Sequence, residues 1–332
     1  MRILRNEEIP LSAWEKLLEF NSFASPFQTP DFYYLFKSAH GFSALTIAVA
    51  YEDKLLALCV ITIQKEPGIK GIFSRRGIIY GGPMFDPEYP QALNFLLKTI
   101  NETLNNQVIY IETRNYFNYN AVKSIFLKDT WEYVPHLNVQ SNIKGYSKDS
   151  LKSVFKYNRR REIKQSLALN ASFNTCTNVD QLKEIYNILR DNYHKRVKLP
   201  LPKFDFFSKF FLNYNMKAFY VMHNGKIIGG AFCPVLNKRG LYTMYYCGLR
   251  DYHKRIFPTH LAILAAMEYC LENGIPHFDF MGAGKPEIEY GVRQYKLEFG
   301  GELVEHGRFL KVCNPLLYRI GEIGIEIISR LK

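Results

Sequence analysis

The chain has 332 residues, of which 47% are apolar and 22% charged, and its 43 basic and 31 acidic side chains give a net charge of +12. This balance excludes a disordered chain, and the length predicts two domains because one core seldom grows beyond about 250–300 residues. No apolar run reaches the roughly 18 residues of a membrane span, and the N-terminus lacks a signal peptide's apolar stretch, so we expect a cytoplasmic protein. The basic excess favours phosphate-bearing substrates, nucleic acid or an anionic membrane surface as partners.

The six cysteines are scattered, with no C-x-x-C pair and no metal-ligand spacing to a histidine. Most of them lie in apolar runs typical of strands or helices, so we interpret them as reduced thiols of the core. The sequence therefore predicts no metal site.

The first half opens with two β-type runs, ALTIAVAY and KLLALCVITIQ, around a polar turn at Glu52 and Asp53. A further strand ends at Gly82. A helix starts at Pro90, where proline is favoured because a first-turn residue has no N–H partner to lose. The buried strand VIYIETR follows the helix.

A basic amphipathic helix is predicted over residues 151–170, where Lys and Arg recur at helical spacing beside apolar residues. Arg159 and Arg160 belong to its basic run. This run is either an anion-binding surface or a solvated helix face, and the sequence leaves both interpretations open.

The second half repeats the order of the first. Two β-type runs flank Asn224-Gly225, a strong hairpin signal, and the strand GLYTMYYCG, a helix from Pro258 and the strand PHFDFMG follow. Lys54 and Lys226 are 172 positions apart, and the two helix-starting prolines are 168 apart. This repeat predicts an α/β protein with two tandem GNAT-like domains, each a mixed twisted sheet flanked by helices.

The domain boundaries follow from the repeat. We expect an N-terminal domain over residues 1–145 and a C-terminal domain over 146–313 that begins with the basic linker helix. The amphipathic helix 314–332 is expected to pack on the N-terminal domain, with contact to the inner membrane surface as a further partner.

Neither half contains the glycine-bearing loop of the form R/Q-x-x-G-x-G/A that holds the pyrophosphate of coenzyme A in GNAT enzymes. The equivalent stretch of the second half, residues 250–261, has no glycine, and Pro258 lacks a backbone donor. We therefore expect no coenzyme A, and no other cofactor is predicted.

Three segments, FQTPDFYYLFK, FDFMGAGKPE and YGVRQYKLEFGGEL, resemble the Fem family of peptidoglycan-bridge aminoacyltransferases, and the resemblance covers nearly the whole chain. It implies an enzyme that transfers an amino acid from aminoacyl-tRNA to an amine of a phosphate-bearing cell-wall or glycan precursor. It also implies that acetyl-CoA is not used.

The resemblance assigns site residues by position. The family's active-centre pair corresponds to Tyr295 and Lys296, its strand-end aspartate to Asp279 followed by Gly282, and its phosphate-contacting lysine to Lys37. Two tyrosines beside the transfer centre correspond to Tyr245 and Tyr246. The family's precursor-binding arginine before a proline has no match in Leu199-Pro-Leu-Pro, and the nearest arginine is Arg196.

Aminolysis of an ester passes through an oxyanion, so a cation aimed at that oxygen is the most valuable group. We expect Lys296 to take this role from the edge of a helix over Tyr290–Phe299, facing a cleft, with Arg293 as the next candidate. Asp279 is either the base for the attacking amine or a structural group bonded to the amides of the following glycine loop.

Two other functions remain open. One is a GNAT-like N-acyltransferase of polysaccharide or cell-envelope biosynthesis that uses an acyl-CoA or acyl-carrier donor. The other is a non-catalytic module that binds RNA or a lipid-linked precursor.

Overall fold

The computed structural model describes residues 1–66, 68, 71, 73–198 and 200–330, with the side chains of 324–330 left out of the description. Leu199 and the end of the predicted helix 314–332 thus lie outside the described residues. The chain divides into two compact units. The first comprises Met1–His136 and Glu305–Lys332, and the second Leu137–Val304.

The first unit contains eight of the strands and five of the helices labelled here. Its strands are β1 Arg2–Arg5, β2 Phe42–Tyr51, β3 Lys54–Gln64, β4 Arg76–Gly81, β5 Met84–Phe85, β6 Tyr110–Asn115 and β7 Glu132–Val134, completed by β16 Arg308–Val312, while β8 leaves for the second unit. Its helices are α1 Leu11–Phe20, α2 Pro30–Ser38, α3 Pro90–Leu104, α4 Lys123–Lys128 and α11 Pro315–Arg330, with short 3-10 turns at Asn6–Glu8, Pro26–Gln28 and Asn120–Val122.

The second unit holds the remaining elements. Its strands are β8 Leu137–Asn142, β9 Ser172–Thr175, β10 Met216–His223, β11 Lys226–Leu236, β12 Gly240–Tyr242, β13 Tyr245–Gly248, β14 His277–Gly282 and β15 Glu302–Glu305. Its helices are α5 Lys148–Ser153, α6 Tyr157–Ala168, α7 Val179–Asn192, α8 Phe204–Asn213, α9 Pro258–Glu272 and α10 Gly291–Leu297, with a π-helical turn at Tyr193–Val197.

The two sheets have the same strand order. The first runs β1-β2-β3-β4-β6-β16-β7 and the second β9-β10-β11-β12-β14-β8-β15, with β5 on β3 matching β13 on β11. A parallel pair also occurs at the same place in each sheet, since β4 lies parallel to β6 and β12 parallel to β14. The predicted fold of two tandem mixed α/β units is therefore confirmed.

In each sheet, the next-to-last strand in the spatial order comes from the other half of the sequence repeat. β8 follows β7 in the chain but pairs with β14, and β16 follows β15 but pairs with β6 and β7. The expected domain boundaries after residues 145 and 313 would leave each strand with the half that precedes it, whereas the compact units end at His136 and Val304. The difference arises from this reciprocal strand exchange.

Local chemistry accounts for the repeated elements. The β10–β11 turn uses Asn224 and Gly225 with φ of 50° and 72°, the left-handed values that a two-residue hairpin turn needs. Pro90 and Pro258 each open a helix whose apolar side chains are buried in the core of its unit. The C-terminal helix α11 packs on the first unit, where the ring of Tyr318 lies 5.5 Å from that of Tyr110.

The structure shortens or divides three predicted elements. The basic helix over 151–170 is two helices, α5 and α6, because the backbone N–H of Lys156 donates to the carbonyl of Glu298 at 2.9 Å. The strand over 240–248 is divided into β12 and β13, and at the break the N–H of Met244 donates to the carbonyl of Tyr242 at 3.0 Å. The predicted helix at Tyr290–Phe299 is confined to α10.

Candidate active site

The C-terminal end of strand β14 departs from regular strand geometry. Met281 has a φ of 61°, a left-handed value that is uncommon for a residue other than glycine, and the register with β8 shifts between Asp279 and Gly282. The carboxylate of Asp279 accepts a 2.5 Å hydrogen bond from the Met281 N–H and a 2.8 Å bond from the Gln140 side chain. Asp279 thus stabilises the bulge.

Lys296 is inserted into this bulge. Its ammonium group donates to the carbonyls of Phe280 at 2.5 Å, Met281 at 3.4 Å and Gly282 at 2.7 Å, and the residue is only 5% exposed. Burial lowers the pKa of Lys296 from 10.5 to about 8, with the nearby carboxylate of Asp279 acting in the opposite direction. The ammonium is therefore a buried cation held by backbone carbonyls, not the cleft-edge lysine that the helical pattern predicts.

Arg159, on α6, is buried against the rings of Tyr295 and Phe299. Its guanidinium carbon lies 4.6 Å from the ring centroid of Tyr295 and 4.8 Å from that of Phe299. Its nitrogens reach Glu298 at 2.5 Å and Glu162 at 3.4 Å. Because Arg159 is 3% exposed and engaged with two carboxylates, it belongs neither to an anion-binding surface nor to a solvated helix face, the two interpretations that the sequence left open for the basic run.

His260 connects Tyr295 to Glu162. Its Nε2 is 3.1 Å from the Glu162 carboxylate and its Nδ1 is 3.3 Å from the Tyr295 hydroxyl. Burial, assisted by the charge of Arg159, lowers the pKa of His260 to about 3, so the imidazole is neutral near pH 7. A neutral ring that donates from Nε2 to the carboxylate must accept at Nδ1, and this assigns the Tyr295 hydroxyl as the donor.

Tyr246 completes the aromatic layer of this site. Its ring is stacked on that of Tyr295 with centroids 5.9 Å apart, and burial raises the pKa of both phenols. Tyr245, the neighbouring residue on β13, instead contacts Phe207 at 5.3 Å. The two tyrosines alternate across the strand, and the structure brings only Tyr246 to Tyr295.

Arg293 and Gly282 have backbone roles at this site. The guanidinium of Arg293 donates to the carbonyls of Ala283, at 2.9 Å, and Lys285, so it secures the loop after β14. Gly282 contributes the carbonyl that receives the Lys296 ammonium. The predicted bonds from Asp279 to the amides of the glycine loop are not formed, since its backbone partner is Met281.

The stretch between β13 and α9 corresponds to the phosphate loop of coenzyme A-dependent GNAT enzymes. Here the backbone N–H of Phe257 donates to the hydroxyl of Ser166, at 2.9 Å, and the ring of His260 is stacked on that of Phe257. Helix α6 therefore occupies the N-terminal end of α9. With Pro258 lacking a donor and residues 249–257 lacking glycine, this end does not fit a pyrophosphate.

Two exposed basic segments adjoin that loop, which is itself basic and exposed, and we call the three together the basic segments of the second unit. Helix α6 is joined to the loop by the Ser166–Phe257 bond, and the π-helical turn is joined to it by a 3.2 Å bond from Asn192 to the carbonyl of Gly248. Their exposed basic side chains are Arg160, Arg161, Lys164, Lys195, Arg196, Lys198, Arg250, Lys254 and Arg255. Arg160 and Arg196 thus lie in exposed basic segments, although the Arg160 side chain also donates to Ser153.

Lys37 belongs to the first unit. It lies on α2, forms an ion pair with Glu7 and is 48% exposed at its side chain, 5.5 Å from the ring of Tyr33. Its proposed contact with a phosphate stays a prediction. Among the described residues, no group of three His, Cys, Asp or Glu side chains could hold a metal ion, and no helix combines the length and apolar character of a membrane span.

Residues 153–297 match the sequence model of an acetyltransferase (GNAT) domain. The second unit is a GNAT acyltransferase domain. A search of curated proteins gives no significant match to the chain.

Solved structures extend the likeness to nearly the whole chain. The fold is similar to that of FemX, with a TM-score of 0.74 at 14% identity over 96% of this chain and 99% of FemX. It is similar to L-PGS from Bacillus licheniformis, with a TM-score of 0.60 at 10% identity over 94% and 96% of the two chains. A tandem GNAT protein from the clavulanic acid biosynthesis pathway matches with a TM-score of 0.58 at 9% identity over 95% and 99%. The expected relationship to Fem-like GNAT proteins is thereby confirmed at the level of the fold.

Sequence reasoning missed His260, Glu162 and Glu298. A partial signal was present on α6, because Arg159, Ile163 and Ser166 recur at the i, i+4, i+7 spacing of one buried helix face. No local pattern distinguishes His260 from the other histidines, since its partners come from α6 and α10.

Proposed function

We propose that the protein transfers an aminoacyl group from aminoacyl-tRNA to an amine of a cell-wall precursor or related glycan. The observation that carries this proposal is the replacement of the pyrophosphate loop of the GNAT domain by exposed basic segments. A closed helix end disfavours coenzyme A, whereas clustered Lys and Arg side chains suit a polyanion such as RNA. The Fem-type resemblance of the sequence and the fold of FemX support the same donor.

In the proposed reaction the acceptor amine attacks the ester carbonyl of the donor. A C–N bond forms, the C–O bond to the ribose breaks, and one amine proton ends on the departing ribose oxygen. Negative charge develops on the carbonyl oxygen in the transition state, and a fixed cation stabilises it most. Lys296 is the cation at the end of β14.

The three hydrogen bonds of Lys296 define how it would act. Two of its carbonyl contacts are short, at 2.5 and 2.7 Å, and the contact to Met281 is long, at 3.4 Å. We propose that the oxyanion replaces this long contact and takes the third ammonium proton. Asp279 maintains the bulge that presents these carbonyls, and both of its oxygens are engaged, so we do not assign it the role of base.

Tyr295 is the proposed aromatic wall of the transfer centre. Its hydroxyl is fixed by His260, and its ring is held between Arg159 and the ring of Tyr246. Because the pKa of Tyr295 is raised, the phenol stays neutral and can orient a substrate by hydrogen bonding.

The second candidate is an N-acyltransferase with an acyl-CoA or acyl-carrier donor. The match of residues 153–297 to an acetyltransferase domain favours it. It requires a donor site other than the α9 N-terminus.

Binding to the two donors separates the candidates. We expect a labelled aminoacyl-tRNA to bind with strong salt dependence, and coenzyme A not to bind in calorimetry. Replacing Arg250, Lys254 and Arg255 with Gln should weaken tRNA binding. It should also reduce the slope of the logarithm of the binding constant against the logarithm of salt concentration by the contribution of about three phosphate contacts. Replacing three exposed lysines of the first unit, at positions 16, 98 and 128, makes the same change in net charge and should leave binding unchanged.

Transfer of a radiolabelled amino acid from charged tRNA to an amine acceptor is the direct assay. Micromolar binding of acetyl-CoA, together with acyl transfer from it and none from tRNA, would replace the first candidate by the second.

A further inference from the structure

The C-terminal helix α11 has an exposed apolar face. Leu316, Ile320 and Ile323 are 70%, 44% and 51% exposed. At about 100° per residue these positions fall within roughly 60° of one another around the helix axis. Three large aliphatic side chains on a single helix face exceed the scattered apolar residues of an ordinary surface.

The opposite face of α11 already has a partner. Tyr318, about 160° around the axis from Ile320, packs its ring on Tyr110 of β6. Gly321 lies on the same packed side, where a Cβ would be 3.8 Å from the backbone carbonyl of Phe73. The exposed aliphatic face is therefore not needed to hold α11 on its unit.

A second segment supplies apolar and basic side chains beside α11. Phe73, adjacent to Gly321, is itself 45% exposed. The sequence around it, Lys65–Arg76, reads KEPGIKGIFSRR and contains four basic residues and one acidic residue. Over residues 315–332 the sequence has three basic and two acidic residues. Among the side chains of these two segments that the structure describes, Lys65, Arg75, Arg76 and Arg319 are basic and Glu66 and Glu322 are acidic, a net charge of +2.

We propose that the outer face of α11 and Phe73 form a surface that binds an anionic lipid bilayer peripherally. Aliphatic and aromatic side chains flanked by Lys and Arg match the two layers of such an interface, the acyl boundary and the charged headgroups. A second copy of the chain fits less well, since each copy carries a net charge of +12 and two like-charged surfaces repel. The inference is independent of the proposed donor and acceptor.

The test uses the full chain and lipid vesicles. We expect it to sediment with vesicles of phosphatidylglycerol and phosphatidylcholine, and much less with phosphatidylcholine alone. Replacing Leu316, Ile320 and Ile323 together with Gln should lower the vesicle partition coefficient by roughly tenfold or more. The single substitution Phe73→Ser should lower it by a smaller factor and leaves α11 unaltered, so it guards against a folding defect of the helix.

A matched control replaces two exposed apolar residues away from this surface, Phe20 at 76% and Leu212 at 61% exposure, with Gln. The control should bind vesicles like the wild type. Equal partition of the triple variant and the wild type would overturn the proposal. So would equal binding to neutral and anionic vesicles, or a wild-type dimer that the triple variant converts to a monomer without any vesicle binding.

Discussion

The two units share one sheet order but differ in what they bury beside their central strands. In the first unit the neutral amide of Gln28 bridges β3 and β4, with 2.8 Å bonds to the N–H of Val60 and the carbonyl of Tyr80. In the second unit the groups buried at and beside β14 are charged, since Lys296, Asp279 and Arg159 are each at most 5% exposed. The same architecture therefore supports a neutral interior in one copy and an ionic one in the other.

The charges of the first unit are arranged differently. Glu112 on β6 pairs with Arg114 at 2.8 Å and Arg308 at 3.0 Å, and these arginine side chains stay 32% and 24% exposed. The two arginines lower the pKa of Glu112 against the effect of burial. Buried charges cost more than partly exposed pairs, and among the described side chains the fully buried charges all lie in the second unit, which points to function there.

The strongest test of the shared architecture uses the strand exchange. A fragment of residues 137–304 contains β8 and nearly all of β15, so its sheet is complete and we expect a cooperative thermal transition. A fragment of residues 1–136 lacks β16, which leaves β7 without its partner, and we expect no cooperative transition. Calorimetry of the two fragments is the measurement. Joining residues 305–332 to the fragment 1–136 through a flexible linker should restore its folding. Cooperative unfolding of residues 1–136 alone would show that the exchanged strand is dispensable.

The next largest effect concerns the buried cation. Lys296→Ala should lower turnover by about two orders of magnitude or more, because in the proposed reaction the lost charge acts on the transition state. It should also lower the free energy of unfolding by about 3 kcal/mol, since buried carbonyls lose their donor. Steady-state kinetics and urea denaturation measure the two effects, and Lys285→Ala, on the exposed loop nearby, should change neither.

The first unit offers a contrasting control. Gln28→Met removes the neutral bridge and should destabilise the protein by a similar amount while leaving turnover unaffected. A comparable loss of activity in both variants would mean that the difference between the two interiors has no catalytic meaning.

The third effect is acid sensitivity. The pKa of His260 is about 3 in the folded protein against 6.5 for an ordinary histidine, so the unfolded chain binds more protons between these values. The contribution of this residue should therefore lower the free energy of unfolding by about 1.4 kcal/mol for each pH unit between 6.5 and about 3. Denaturation at several pH values should show a shallower acid loss in His260→Gln than in the wild type. Identical slopes would mean that His260 is not buried as a neutral ring.

The smallest effect is expected in the first unit. Lys37→Ala should leave the melting temperature unchanged because its ion pair with Glu7 is exposed to solvent. If Lys37 binds a phosphate of the acceptor, the variant should raise KM severalfold with kcat unchanged. Lys16→Ala is the control, and a loss confined to kcat would contradict the assigned role.

The repeat made the fold predictable, because its hairpin turns and helix-starting prolines are local signals. The strand exchange was not predictable, since β8 and β16 pair with strands distant in sequence and either sheet could accept either strand. At the site, the family resemblance singled out Lys296 but did not indicate its burial, because the carbonyls that hold it belong to the bulge in β14. The basic run of α6 was predictable only in part. Arg159 is buried and Arg160 is exposed, and the one sequence signal for this difference is that Arg159 lies on the same helix face as Ile163 and Ser166.

The strand exchange also determines the order in which the chain can mature on a ribosome. The second unit has all of its strands once β15 has emerged, whereas β7 has no partner until β16, the last strand, leaves the exit tunnel. The N-terminal unit therefore finishes after the C-terminal one, the reverse of the usual vectorial sequence. During that interval the edge of β6 is an unpaired template for other nascent chains. Truncation of the chain before β16 would consequently damage the part of the protein that was synthesised first.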